Sequence, residues 1–114
     1  VRVGYYPGCS LHGTARELDE SLRAVAPTLG VELVEVADWS CCGATSAHAT
    51  DHLLSVALPA RNLALAAEQG HDQLLAPCAA CYNRLASARH AVASDAALAA
   101  RLPDVIGRPF PSDV

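Results

Sequence analysis

The sequence predicts an α/β fold of the Rossmann-like, three-layer kind: a small parallel sheet of about three strands, the first strand central, with flanking helices. Three observations lead there. Short runs rich in β-branched and aromatic residues alternate with longer helical stretches, in the order strand–helix–strand–helix–strand–helix. That order implies parallel strands joined by right-handed crossovers. The chain of 114 residues, 52% hydrophobic and 18% charged, is long enough for one domain with a modest core.

"VRVGYYP" alternates and carries β-formers, so residues 1–6 read as the first strand, stopped at Pro7-Gly8. Thr14-Ala15-Arg16-Glu17 has the form of a capping box, with Thr14 at the N-cap and Glu17 reaching back. Leu18, Leu22, Val25 and Leu29 follow at helical spacing. Gly30 ends that helix, and Pro27 signals a kink or an earlier stop. "VELVEV", residues 31–36, is the second strand. From Ala47 to Gln69 the pattern is helical, interrupted at Pro59, which is expected to open a second segment ending at Gly70. "QLLAP" is a short third strand, a third helix runs from Cys78 to about Val92, and the alanine-rich stretch 94–102 adds one more short helix.

The charge pattern excludes several functions. The net charge is −4, with eight scattered Lys+Arg, so there is no basic stripe for nucleic acid and no polybasic run for an anionic membrane. The apolar stretches are too short for direct membrane insertion. Nothing at the start reads as a signal peptide, and a cytoplasmic location is expected. The absence of methionine and the proline-rich end "GRPFPSDV" suggest one domain, residues 1–114, cut from a longer subunit.

Five cysteines carry the functional signal. In a reducing compartment clustered cysteines are metal ligands or redox catalysts more often than disulfide frameworks. Cys9 follows the first strand, Cys41 and Cys42 the second, and Cys78 and Cys81 the third, so all five fall at one edge of the sheet. Ligands bind at that edge in such folds. Cys78 and Cys81, three apart at a helix start, share a face near the positive end of the helix dipole, which favours thiolates. The adjacent Cys41-Cys42 pair, unsuited to a disulfide with itself, can direct two sulfurs at different atoms of one multinuclear centre. A tetrahedral ion needs four ligands, and five thiolates fit several irons better. Gly43 and Gly8 leave clearance beside the cysteines. Three other readings stay open: buried cysteines acting as small hydrophobes, a structural zinc using four of them, and a CxxC thiol–disulfide module that leaves Cys9, Cys41 and Cys42 without a role.

The spacing Cys9, Cys41-Cys42-Gly43, Cys78-x-x-Cys81, with the flanks "YYPGCSL", "WSCCGATSAH", "LPARNLALA" and "APCAACYNRL", resembles the N-terminal cysteine-rich CCG domain of the B-type subunit family of heterodisulfide reductase, over residues 3 to about 90. The resemblance implies a noncubane 4Fe-4S iron–sulfur cluster held by Cys9, Cys41, Cys42, Cys78 and Cys81, with one of the vicinal pair bridging irons. It implies partners as well: a second CCG domain in the same polypeptide, a flavoprotein, and a ferredoxin-like iron–sulfur subunit. The reaction it implies is reduction of a disulfide of the coenzyme M–coenzyme B type, for which one domain alone is incomplete. The alternative is a domain that only transfers electrons or carries zinc.

Other residues are weaker candidates. His48 and His12 lie near cysteines in sequence, and His48 is a candidate proton donor to a leaving thiolate, against an ordinary loop histidine. His52, His71 and His90 read as helix or surface residues. Arg61 and Asn62 are candidates for orienting the cluster loop, with a solvated face as the alternative for Arg61. Tyr82 and Asn83 are candidates for packing beside the site, and Trp39 for anchoring the loop of the vicinal pair. Glu17, Asp19 and Glu20 read as capping and solvation.

Overall fold

In the computed structural model, residues 1–8, 15–40 and 52–111 are described, the side chains of His52 and Leu54 excepted. Among them the order is β1 (Arg2–Tyr5), α1 (Arg16–Val25), a 3-10 turn (Ala26–Leu29), β2 (Glu32–Glu35), α2 (His52–Glu68), β3 (Leu74–Leu75), α3 (Ala79–Ser94) and α4 (Ala96–Ile106). The strands form one parallel sheet in the order β2-β1-β3, so the central first strand and the α/β class stand as expected.

Strand β1 is central because it bonds on both sides: Arg2 to Tyr5 register with Glu32 to Glu35, and Gly4 and Tyr5 with Leu74 and Leu75. The ladder extends past the strand ends through Val36 N–H to Tyr5 O at 3.0 Å and Tyr6 N–H to Leu75 O at 2.9 Å. Alternation assigns Val3 and Tyr5 to one face and Gly4 and Tyr6 to the other. Gly4 has no room for a side chain, since a Cβ there would lie 2.9 Å from Cγ of His71. His71, read from the sequence as a helix or surface residue, is in fact buried beneath the sheet at that point.

Helices α2, α3 and α4 gather on the Tyr6 face. Tyr6, Leu63, Cys81 and Leu85 make one buried cluster, Val36, Leu65 and Ala66 a second, and Val56, Ala57, Ala60, Ala88 and Leu102 a third between the helices. The alanines allow close approach between the helices, while Tyr5 and Tyr6 are the largest fully buried side chains.

Several boundaries differ from the sequence reading. Helix α1 starts at Arg16 with Ala15 at its N-cap and no side-chain capping bond, one residue later than the capping box required. Pro27 converts the end of that helix into the 3-10 turn, which Gly30 closes in a left-handed conformation. Pro59 does not split the second helical stretch: α2 runs unbroken from His52 to Glu68 with Pro59 inside and buried. Proline there cannot donate to the carbonyl of Ser55, but packing on the other helices and the sheet holds the helix through the defect. The last helix reaches Ile106, further than the alanine run suggested, and Asp95 caps it by accepting from the N–H groups of Ala97 and Leu98, both at 3.1 Å. Among the described residues no helix is long and apolar enough to cross a membrane.

Candidate metal centre at the strand exits

Parallel strands send their carboxyl ends to the same edge, and three chain segments leave the sheet there: Tyr6 to Gly8 after β1, Val36 to Ser40 after β2, and Ala76 to Cys78 after β3. Of the five cysteines, Cys78 and Cys81 are described. Cys9, Cys41 and Cys42 lie outside the described residues, as do His12, Thr14, Gly43 and His48. Covalent continuity still makes Cys9 the next residue after Gly8 and Cys41 the next after Ser40.

Cys78 is the N-cap residue of α3, in an extended conformation, and Cys81 sits in the first turn. The carbonyl of Cys78 accepts the first helical bond, from Tyr82 N–H at 2.9 Å. Cys81 is buried against Tyr6, Leu63 and Leu85, while Cys78 is half-buried at the border of the same cluster. Both cysteines thus stand at the start of α3, beside its first N–H groups.

Gly8 ties the first exit to this pair. Its φ is +75°, a conformation open to glycine and strained for other residues, and a Cβ there would lie 2.7 Å from the Sγ of Cys81. The backbone leading into Cys9 therefore passes directly against the Cys81 sulfur. A side chain at position 8 would displace that sulfur or the strand exit.

The second exit is held by side chains of α2 and of the residue just past its end. Gln69 pairs with both sides of one peptide residue, its Oε1 accepting from Ala37 N–H at 2.8 Å and its Nε2 donating to Ala37 O at 2.9 Å. Two turns back on the helix, Asn62 treats Ser40 in the same way: Oδ1 accepts from Ser40 N–H at 2.9 Å and Nδ2 donates to Ser40 O at 2.8 Å. Arg61 adds bonds to Asp38 O at 3.1 Å, to the Asp38 carboxylate at 2.9 Å and to Ser40 Oγ at 3.2 Å. Asp38, with φ of 64°, makes the sharp turn between the two amide pairs. These side chains supply the partners a strand would give to residues 37–40. The "ARN" segment is an anchor for the loop, not a solvated face.

Tyr6 joins the exits. Its hydroxyl donates to Ser40 O at 2.7 Å and accepts from Asn62 Nδ2 at 3.3 Å, while its ring meets Trp39 edge-on, 5.3 Å between centroids, and packs against Cys81. Trp39 anchors the loop as expected, with a further bond from its Nε1 to Glu35 at 2.9 Å. Tyr82 is 63% exposed and borders an open groove of about 420 Å³ with Leu74, Ala76, Leu85, Arg89 and His90. Asn83 is exposed and accepts from Ser87 Oγ at 3.3 Å.

The comparison with known sequences decides the family: residues 3–86 match the cysteine-rich domain that carries the name CCG. The chain belongs to the CCG cysteine-rich domain family. Two relatives of this CCG domain are informative. It is 44% identical over 85 residues, 75% of its length, to the 8-methylmenaquinol:fumarate reductase membrane anchor subunit of Wolinella succinogenes. It is 35% identical over 91 residues, 79% of its length, to a heterodisulfide reductase B-subunit-like protein of Archaeoglobus profundus. The chain spans about a third of the length of these curated relatives, 30% of each. The family matches what the cysteine spacing indicated, and both relatives are named for reductases.

The donor set fits a metal centre on chemical grounds. Thiols are soft donors. Cys78 lies on one of the three segments leaving this sheet edge, and Cys9 and Cys41 follow the other two in sequence. The Cys81 sulfur is shielded by an apolar wall, and the glycine before Cys9 leaves no side chain against that sulfur.

Proposed function

We propose that this chain is the iron–sulfur-binding CCG domain of a larger reductase subunit, with Cys9, Cys41, Cys42, Cys78 and Cys81 as ligands of a noncubane 4Fe-4S cluster. The observation that carries the reading is the convergence of the strand exits: Gly8 against Cys81, and Ser40 tied to Tyr6, which packs on the same Cys81. When bound, such a cluster supplies one-electron redox chemistry at iron open to a sulfur ligand. The chain's own residues do the rest. Cys78 and Cys81 stand at the start of α3, Tyr6, Leu63 and Leu85 keep water from one side of Cys81, and α2 holds Ser40, the residue before the vicinal pair.

In this proposal the domain works in the cytoplasm beside a second CCG domain. It takes electrons from a flavoprotein through an iron–sulfur subunit to reduce a disulfide. His48 is the residue proposed to protonate the leaving thiolate. The name of the relative from Archaeoglobus profundus favours the disulfide substrate. The name of the relative from Wolinella succinogenes favours a second reading, in which the domain passes electrons between a quinol and fumarate without handling a disulfide.

Anaerobic reconstitution with ferrous iron and sulfide, followed by iron and acid-labile sulfide analysis, tests the centre. About four irons with matching sulfide per chain is expected. About one zinc with no sulfide overturns the cluster in favour of a structural zinc site. A small thiol that perturbs the spectrum of the reconstituted cluster favours disulfide chemistry, and an unperturbed spectrum favours electron transfer alone.

A further inference from the structure

Asn62 is an amide at the centre of an apolar helix, with no exposed surface, between Arg61 and the buried Leu63, one turn from Pro59. A buried amide is tolerated only when its hydrogen-bonding groups are matched. The bonds of Asn62 point to one place: its oxygen takes the N–H of Ser40, and its nitrogen donates to the carbonyl of Ser40 and to the hydroxyl of Tyr6. The amide is therefore satisfied only while Ser40 sits in this register. A slip of the loop by one residue leaves a buried polar group without its partners. Gln69 makes a similar pair, but at Ala37, and Arg61 holds Asp38 from a partly exposed position. Asn62 holds both backbone groups of Ser40, the last described residue before the vicinal cysteines, where the Tyr6 hydroxyl and Arg61 also bond.

Tyr6 completes the device from the other side. It is the one described residue that belongs to the segment leading to Cys9, bonds the residue preceding Cys41, and packs against Cys81. Its hydroxyl has two jobs at 2.7 and 3.3 Å, and both involve the Asn62–Ser40 pair. A phenylalanine would fill the same cavity and keep the contacts with Trp39 and Cys81, so packing alone does not require the oxygen.

We propose that Tyr6 and Asn62 are positioning residues for the cysteine centre, a hydrogen-bonded pair that sets the exits toward Cys9 and Cys41-Cys42 in fixed relation to Cys81 before any metal binds. This rests on the reading that the five cysteines form one centre. Groups that orient metal ligands without touching the metal change affinity by about 10–100-fold when removed. The pair orients the backbone next to the ligands, so the lower part of that range applies.

The test uses the whole chain, reconstituted anaerobically with ferrous iron and inorganic sulfide, as wild type, Tyr6→Phe, Asn62→Leu and a control, Leu102→Ala. Leu102 is fully buried among α2, α3 and α4, away from the strand exits, and its truncation loosens the fold without touching the pair. The readout is the rate at which cluster absorption disappears under a chelator, at a temperature where circular dichroism shows each variant folded. Tyr6→Phe and Asn62→Leu are expected to lose the cluster about tenfold faster than wild type, with Leu102→Ala close to wild type. Equal rates for wild type and Tyr6→Phe overturn the positioning role, as does equal acceleration by Leu102→Ala, which marks a purely global effect. Should Asn62→Leu fail to fold, Tyr6→Phe decides alone, because it keeps the ring. A wild-type chain that takes up no cluster is a different failure and brings down the metal-centre reading itself.

Discussion

The two faces of the sheet are held by opposite kinds of chemistry. On the Tyr6 face three helices bury a continuous apolar layer, and the polar groups inside it, Asn62 and the Tyr6 hydroxyl, are matched to single partners in the cysteine loop. On the Tyr5 face α1 has no buried residue and is held by a polar chain. The Tyr5 hydroxyl donates to Asp19 at 2.7 Å, Arg23 bonds Asp19 at 3.1 Å and Glu35 at 2.7 Å, and the guanidinium lies 4.8 Å from the centroid of the Tyr5 ring. Meanwhile Leu18, Val25 and Leu29 of the predicted apolar stripe are 46%, 51% and 72% exposed. The lesson is that periodicity locates a helix but does not say which face docks. Asp19, read from the sequence as part of a solvated acidic start, is the residue that fastens α1 to the sheet.

Substitutions on each face sharpen the contrast. The largest loss is expected from Leu102→Ala on the packed side, about 2–5 kcal/mol, read as a lowered denaturation midpoint. Gly8→Ala comes next. The left-handed backbone costs a non-glycine residue about 1–2 kcal/mol, and the new methyl meets Cys81, so cluster retention should fall along with stability.

Tyr5→Phe, on the polar side, should cost about 1 kcal/mol by removing a hydrogen bond. It should also change the alkaline limb of stability. Burial, and then the bond to Asp19, hold the Tyr5 hydroxyl well above the usual tyrosine range. The folded chain therefore keeps a proton that the unfolded chain releases near pH 10, and the stabilisation is complete below that pH and falls as pH rises above it. Denaturation profiles between neutral pH and about pH 11 should show this decline in wild type and a flatter curve in Tyr5→Phe. Arg23→Ala removes exposed ion pairs and should cost less than about 1 kcal/mol, an effect that fades in high salt. Leu29→Ser should lie within about 0.5 kcal/mol of wild type, since a residue so exposed gives up little on replacement. A large loss there would mean that the 3-10 turn after α1 is docked in solution.

Much of the fold was legible because strand order follows from alternation and right-handed crossovers, and the cysteine spacing carries the family. What escaped has physical causes. A two-residue β3 is shorter than any pattern can define, and it is a strand only because Gly4 and Tyr6 bond to its neighbourhood. Pro59 looked like a break because helix rules are local, whereas α2 is stabilised by tertiary packing. Asn62 and Gln69 look like ordinary polar residues of an alanine-rich helix, and their partners lie 22 and 32 positions away. A buried amide facing a loop has no periodicity to betray it. The signal that was available, an asparagine followed on its helix by an apolar run, invited the question without answering it.

The parallel topology also fixes an order in time. Because the sheet edge needs β3 and the start of α3, the sulfur of Cys9 is made 72 residues before that of Cys81. At roughly 5–20 residues per second of synthesis, about 4–14 s separate the first cysteine from the last. For those seconds the growing chain carries cysteines without the arrangement of Tyr6, Asn62 and Cys81 at the strand exits. Assembly of the proposed centre would then follow the emergence of the third strand and the start of α3 from the ribosome.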